Sequence, residues 1–217
     1  MSDRNSSVSR SWQGALLGVV VAISAGATPV RADEGQRGPA NDRDEIADLM
    51  YCYGRGTDAI GDSTTNTDPL AAGQAIYRKC FTPNAQFRAW FPQQPFDHQA
   101  FPNPDAFPDT APTPFVGPDA WAEFVNGVFR GNGYNFTQHM LSNINVTITG
   151  DKARLTAYLN ASHVRSGTGI GGVSRCVAVA NGTYSMYARR INGKWLATRL
   201  DLTLITFNPV FQSGAGC

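Results

Sequence analysis

The chain has 217 residues, of which 42% are apolar and 16% charged, and its formal net charge is +1. This length suits one globular domain whose core is large enough to fold without a metal ion or a disulfide. Scattered Lys and Arg residues at near-zero net charge argue against a nucleic-acid-binding surface, and 11% aromatic residues argue against a disordered chain.

The N-terminus has the pattern of an export signal. Arg4 and Arg10 precede an apolar run from Ala15 to Ile23, and small residues follow up to Ala32. This order is typical of a secretory signal, and the run is shorter than the ~20 residues that a transmembrane helix needs. We therefore predict a signal peptide over residues 1–32, cleaved near Ala32, and a periplasmic or secreted protein. An uncleaved membrane anchor is the alternative.

The chain has four cysteines, an even number that permits two disulfides in an oxidising compartment. We favour Cys52–Cys80, because both residues fall in adjacent predicted helices, and Cys176–Cys217, which would hold the C-terminal tail. Four buried free thiols are the alternative. The spacing of His and Cys residues does not match a zinc site, so we predict no metal.

Three helices are expected in the first part of the mature chain, after a flexible N-terminus at 33–41. Asp42 and Glu45 have the spacing of a capping box before apolar residues that repeat at helical intervals, so the first helix is expected to end near Gly54 to Gly56. Residues 70–81 predict a second helix, and Pro118 opens a third.

Strands and one long loop account for the rest. Residues 85–91 predict a first strand, and the proline-rich segment 92–118 predicts a lid over a binding site. Four longer strands are expected near 136–149, 152–165, 174–191 and 194–208, the last two joined by the hairpin turn Asn192-Gly193. This order predicts an α+β fold with a curved antiparallel sheet over 42–208, helices on one face, and a tail at 209–217.

Several motifs together resemble a known family. They are Thr137-Gln138-His139, Asn143, the Arg189–Trp195 hairpin, and the 46–58 helix followed by Phe81–Ala85. In order and spacing they are similar to the SnoaL-like branch of the nuclear transport factor 2-like superfamily, over residues 42–208. The resemblance implies a cone-shaped α+β barrel closed by three N-terminal helices. It also implies one deep pocket and a dimer or trimer of identical chains. Superfamily members include dehydratases, isomerases, cyclases and non-catalytic subunits.

Within this superfamily the pattern is most similar to the scytalone dehydratase family, and that likeness implies three catalytic positions. Asp58 stands at the end of the first helix, His139 lies in the Thr-Gln-His segment, and His163 lies on the next strand. The family's first-strand tyrosine falls at Ala89 or Trp90 here, and its asparagine on the penultimate strand falls at Tyr184. These departures imply a different substrate.

Alternation along the strands supports only part of this assignment. His163 follows Leu155, Ala157, Leu159 and Ala161 at every second position, so it shares their apolar face. Both faces of the strand around His139 are apolar, so alternation does not decide where His139 points. We add Tyr53 as a fourth catalytic candidate, about one helical turn from Asp58. The predicted substrate-binding residues are Trp90, Trp121, Tyr158, Tyr184 and Asn143.

Two functions remain open from the sequence. The first is a cofactor-independent lyase, dehydratase or isomerase that acts on a small hydrophobic, hydroxylated aromatic or polyketide- or terpenoid-like substrate through acid–base catalysis. The second is an exported small-ligand-binding protein or partner subunit without chemistry. A Gly-x-Gly-x-x-Gly match at 167–172 is followed by a β segment rather than a helix, so we predict no dinucleotide cofactor.

Overall fold

Three helices and six strands make up the part of the chain that the computed structural model describes, residues 39–91, 112–166 and 175–210. These residues lie within one compact unit, Arg37–Cys217. The predictions for the signal peptide, most of the proline-rich segment, the glycine-rich loop and the tail fall outside them. The elements are α1 (Pro39–Gly61), α2 (Pro69–Cys80), β1 (Phe81–Trp90), β2 (Phe115–Val116), α3 (Pro118–Gly131), β3 (Phe136–Thr149), β4 (Lys152–Ser166), β5 (Arg175–Ile191) and β6 (Lys194–Val210).

The six strands form one curved sheet in the order β2-β1-β6-β5-β4-β3. The α+β class and the four long strands are confirmed, but the sheet is mixed rather than wholly antiparallel, because β1 runs parallel to β6. Two helices precede β1, so no hairpin constrains its direction, and it joins the sheet beside the last strand. Among the described strands, β2 and β3 are the two edges, so the sheet is not closed edge to edge.

Helix α1 differs from the prediction at both ends. It begins at Pro39, so Asp42 lies in the first turn rather than at the cap. The Asp42 carboxylate instead accepts a hydrogen bond from Nε1 of Trp195 at 3.1 Å and pairs with Arg190, whose guanidinium lies 4.8 Å from the Trp195 ring. The helix then runs to Gly61, past the glycines at which it was expected to end. This extra length carries Asp58 to the sheet.

A β-bulge in β3 changes which side chains face the helices. The β3–β4 register shifts between Ser142 and Asn145, and Asn143 within the bulge has a φ of 52°. Asn adopts this left-handed conformation more readily than most residues. As a result, Leu141 before the bulge and Val146 after it both belong to the helix-facing core, although strict alternation would place them on opposite faces.

Two disulfides are present, and one is fully described. Cys52 of α1 bonds to Cys80 at the end of α2, as predicted. Cys176 is also disulfide-bonded, and its partner lies outside the described residues, as does the predicted partner, Cys217. The alternative of four free thiols is therefore wrong.

A glycine-to-alanine pair tests the close contact between α1 and α2. A Cβ at Gly56 would lie 2.3 Å from the Tyr77 ring, whereas one at Gly127 in α3 would have no heavy atom within 4 Å. We expect Gly56→Ala to lower the free energy of unfolding by about 1–3 kcal/mol through overpacking. Gly127→Ala should raise it by up to about 1 kcal/mol through helix propensity. Urea unfolding of both variants measures this; equal effects would contradict the packing argument.

Candidate active site

A cavity of about 390 Å³ lies between the helices and the sheet. Most of its wall is apolar and aromatic, which favours a small hydrophobic ligand. The polar groups among its lining residues are two imidazoles, two phenols, an indole N–H, a threonine hydroxyl and an asparagine. The lining residues are Tyr53, Thr57, Ala89, Phe91, Trp121, Phe124, Val125, Val128, Phe129, Asn132, His139, Leu159, His163, Ala180, Tyr184, Leu202, Leu204 and Phe207.

The Asp58 carboxylate in the last turn of α1 holds His139 of β3. Its Oδ1 accepts hydrogen bonds from Nδ1 of His139 at 2.6 Å and from the Thr137 hydroxyl at 3.1 Å. Its Oδ2 accepts from the backbone N–H of His139 at 3.1 Å. Because a carboxylate only accepts, Nδ1 carries the proton, and Nε2 is the ring nitrogen with a free lone pair. The His139 side chain is only 5% exposed.

His163 of β4 lies beside this pair. Its ring centroid is 5.5 Å from that of His139 and 5.4 Å from that of Phe129 in α3. Burial, and then the neighbouring imidazole of His139, lower the pKa of His163 to about 4. His163 is therefore neutral near pH 7. Its Nδ1 is buried and has no hydrogen-bond partner in the described part of the chain.

The low pKa of His163 predicts a pH-dependent stability. The unfolded chain takes up a proton near pH 6.5 but the folded one only near pH 4, so stability is full above 6.5 and falls as pH drops between these values. A shift of this size corresponds to a loss of about 3 kcal/mol by pH 4. We expect His163→Gln to remove this part of the dependence. Urea unfolding of both proteins from pH 7.5 to 4 measures the difference, and parallel curves would contradict it.

A cluster of phenols forms another wall of the cavity. The rings of Tyr53 and Tyr184 meet edge to face with centroids 5.1 Å apart, and Tyr53 stacks on Tyr77 at 5.6 Å. The Thr57 hydroxyl lies 2.6 Å from the Tyr77 hydroxyl. Burial raises the pKa of both Tyr53 and Tyr184, so both phenols stay protonated at neutral pH and can donate a hydrogen bond to a ligand oxygen.

Five of the nine predicted site residues line the cavity. The other four do not line it, and one of these, Asp58, contacts a lining residue. Tyr53, His139, His163, Trp121 and Tyr184 line the cavity, and Asp58 supports it through His139. Tyr158, a predicted substrate-binding residue, lies outside the cavity: it is 56% exposed because it alternates with inward-facing Leu159 on β4. Asn143 is exposed and forms the bulge. Trp90 is buried but does not line the cavity.

Sequence reasoning missed two threonines, Thr57 and Thr137. Thr137 stands two residues before His139 on the same strand, so it shares the face of His139, and this signal was available. Thr57 was detectable only as the neighbour of Asp58. In the described ranges, no group of three or more His, Cys, Asp or Glu residues could hold a metal ion. Those ranges also contain no helix that is both long and apolar enough to cross a membrane.

Comparison with known proteins reveals one family and several structures. A family model for the SnoaL-like domain matches residues 74–201. A Novosphingobium aromaticivorans structure described as an aromatic ring hydroxylase is 25% identical, covers 80% of this chain and 96% of its own, and has a TM-score of 0.51. A hexachlorocyclohexane dehydrochlorinase, LinA-type3, from Novosphingobium barchaimii LL02 is 13% identical, with coverage of 79% and 91% and a TM-score of 0.53. No curated protein sequence matches the chain significantly.

Proposed function

The chain belongs to the SnoaL-like domain family, and on that premise we propose that it is a cofactor-independent acid–base lyase, dehydratase or isomerase. The observation that carries this proposal is the Asp58–His139 pair beside a neutral His163 in a mostly apolar and aromatic cavity. A cavity built only to hold an apolar ligand would not need two buried imidazoles, one of them fixed by a carboxylate.

In the proposed reaction His139 moves the proton. Its Nε2 accepts a proton from a carbon next to a carbonyl group, while Asp58 keeps the ring oriented and is therefore a positioning residue. A phenol of Tyr53 or Tyr184 donates a hydrogen bond to the carbonyl oxygen as negative charge develops there. In a dehydration, the carbon–oxygen bond of a β-hydroxyl group then breaks and His139 returns the proton, so that water leaves. In an isomerisation, the proton returns to another carbon.

The neutral His163 has a different part from that of His139. With a pKa of about 4 it is a poor source of protons at pH 7, but its one N–H can hold the departing hydroxyl by a hydrogen bond. The aromatic wall supplies binding energy for an apolar ring system and excludes water from the enolate. These features favour a small, hydroxylated aromatic or polyketide- or terpenoid-like ketone as the substrate.

Deuterium incorporation tests the proposal before the natural substrate is known. A panel of small cyclic β-hydroxyketones and hydroxylated aromatic ketones is incubated with the protein in D₂O and followed by ¹H NMR. We expect deuterium to enter next to the carbonyl, or new vinyl signals to appear, for at least one compound. His139→Gln should abolish this, whereas Tyr158→Phe, which changes an exposed side chain on the opposite face, should not. Compounds that bind without exchange or turnover would favour the ligand-binding function.

We also propose that the protein is exported, as the N-terminal pattern predicts. The Cys52–Cys80 bond and the disulfide at Cys176 support this, because disulfides persist mainly in oxidising compartments.

A further inference from the structure

A second cavity, of about 510 Å³, lies on the other side of the sheet. Lys152 of β4 and Arg189 of β5 line it. On the opposite face of the same strands, Leu155 and Met186 point toward the helices. Its other polar lining groups are the Arg199 guanidinium, amides and hydroxyls. The lining residues are Thr82, Asn84, Gln86, Lys152, Ala153, Tyr187, Ala188, Arg189, Ile191, Thr198 and Arg199, and we call this set the basic groove.

Cations of like charge face each other across the strands of the basic groove. Lys152 and Arg189 are directly opposite in the β4–β5 register, where Cβ atoms are about 5 Å apart and like charges repel. Both are exposed, and neither side chain makes an ion pair or hydrogen bond to another described residue. Repulsion between adjacent cations is relieved when an anion binds between them. This arrangement therefore indicates a site for a negative group.

The next row of the sheet adds two guanidinium groups. Arg154 and Arg199 lie 6.0 Å and 4.8 Å from the ring centroid of Tyr187, which stands between them in the register. Asp201 neutralises one charge: it accepts from Nε of Arg199 at 2.7 Å, and burial raises its pKa. Asp201 balances Arg199, and Arg154 adds positive charge beside that of Lys152 and Arg189.

A hydrogen-bond donor without a partner also lines the basic groove. Thr82 is only 6% exposed, and its hydroxyl makes no hydrogen bond to any described residue. A buried hydroxyl left unpaired is costly, so a ligand that accepts from it would gain affinity. Tetrahedral oxyanions accept hydrogen bonds in several directions at once, which suits a hydroxyl, an ammonium and guanidiniums converging on one cavity.

We propose that the basic groove binds a small soluble oxyanion, a phosphate group or its sulfate equivalent, at a site separate from the acid–base cavity. The burial of its deepest groups favours a small ligand over a membrane surface, because a flat array of headgroups cannot reach Thr82 or Arg199, which are 6% and 7% exposed. The proposal uses none of the residues of the acid–base cavity and stands independently of the proposed reaction.

Thermal unfolding with inorganic phosphate tests the site. At constant ionic strength, replacing chloride with tens of millimolar phosphate should raise the Tm of the wild-type protein by roughly 2–5 °C. The double variant Lys152→Gln/Arg189→Gln should bind phosphate at least about tenfold more weakly by calorimetric titration. The matched control Arg43→Gln/Arg55→Gln removes two exposed cations of α1 and should retain the wild-type response.

Two further measurements test the repulsion between the cations and the size of the ligand. Without phosphate and at low salt, Lys152→Gln alone should raise the Tm, because it relieves the repulsion from Arg189. A lower Tm would show that the chain already neutralises the pair, and would overturn the proposal. Equal responses to phosphate in the two double variants would also overturn the proposal. So would a wild-type Tm that is the same in phosphate as in chloride. Binding to anionic phosphatidylglycerol vesicles without any response to inorganic phosphate would identify a lipid surface instead, and would equally overturn it.

Discussion

Replacing His139 with Gln is expected to lower kcat by 10²- to 10⁴-fold on any substrate that the deuterium screen identifies, with little change in KM. General acid–base catalysis contributes about this much, which corresponds to about 2.7–5.4 kcal/mol of transition-state stabilisation. Glutamine keeps a polar, similarly sized side chain against Asp58 but has no nitrogen that can take up a proton. The measurement is steady-state kinetics of wild type and variant, with the Kd of an inert substrate analogue as the control for binding.

Asp58→Asn distinguishes positioning from direct proton transfer. The variant retains the His139 imidazole but removes the carboxylate that fixes its Nδ1 proton, so we expect a loss of kcat with ligand affinity preserved. Tyr158→Phe should behave as wild type, because Tyr158 lies on the exposed face of β4. Activity of His139→Gln within threefold of wild type would exclude His139 as the base and transfer the role to His163.

Asp42→Ala is expected to lower the free energy of unfolding by about 3 kcal/mol. The substitution leaves Arg190 without its buried carboxylate and Nε1 of Trp195 without an acceptor, and breaking one side of a buried ion pair costs about 3–5 kcal/mol. The lower end applies because Arg190 keeps a contact with exposed Asp151, at 3.4 Å. Urea unfolding followed by tryptophan fluorescence measures both the global stability and the surroundings of Trp195.

Asp44→Ala is the matched control for this change. Asp44 is exposed two residues further along α1, so its loss removes a negative charge near the same helix end but no buried pair. We expect a change within about 0.5 kcal/mol. If the two variants were equally stable, the contact between α1 and the β5–β6 hairpin would contribute nothing to stability.

The long strands were predictable because their turns have specific chemistry. Asn192-Gly193 joins β5 to β6, and both residues have the positive φ that this kind of turn requires. The end of α1 was not predictable, since glycine ordinarily marks the end of a helix. Here Gly54 and Gly56 lie inside α1 because they allow Leu141 and the Tyr77 ring to approach the helix closely. Only the tertiary packing reveals that advantage.

Deciding which face of β3 His139 points to required both the family resemblance and the structure. One extra residue in β3 reverses the alternation after Ser142, so the pattern of the whole strand gave contradictory indications about its two faces. Asn143, a motif residue of the resemblance and a predicted substrate-binding residue, lies within this irregularity and has a φ of 52°. The position of Tyr158 outside the cavity could be predicted from alternation, because it lies between Ala157 and Leu159, which both face the helices.

The hydrogen bond from the His139 backbone N–H to Asp58 also protects the edge of the sheet against pairing with another molecule. β3 is an edge among the described strands, and the N–H of His139 points away from β4, toward the side on which a strand from another molecule would pair. The Asp58 carboxylate occupies that donor. Asp58→Ala would therefore free this edge for pairing and also release the imidazole, so that aggregation and lost turnover would both follow from the loss of one carboxylate. Asparagine, whose amide oxygen still accepts, separates the two effects.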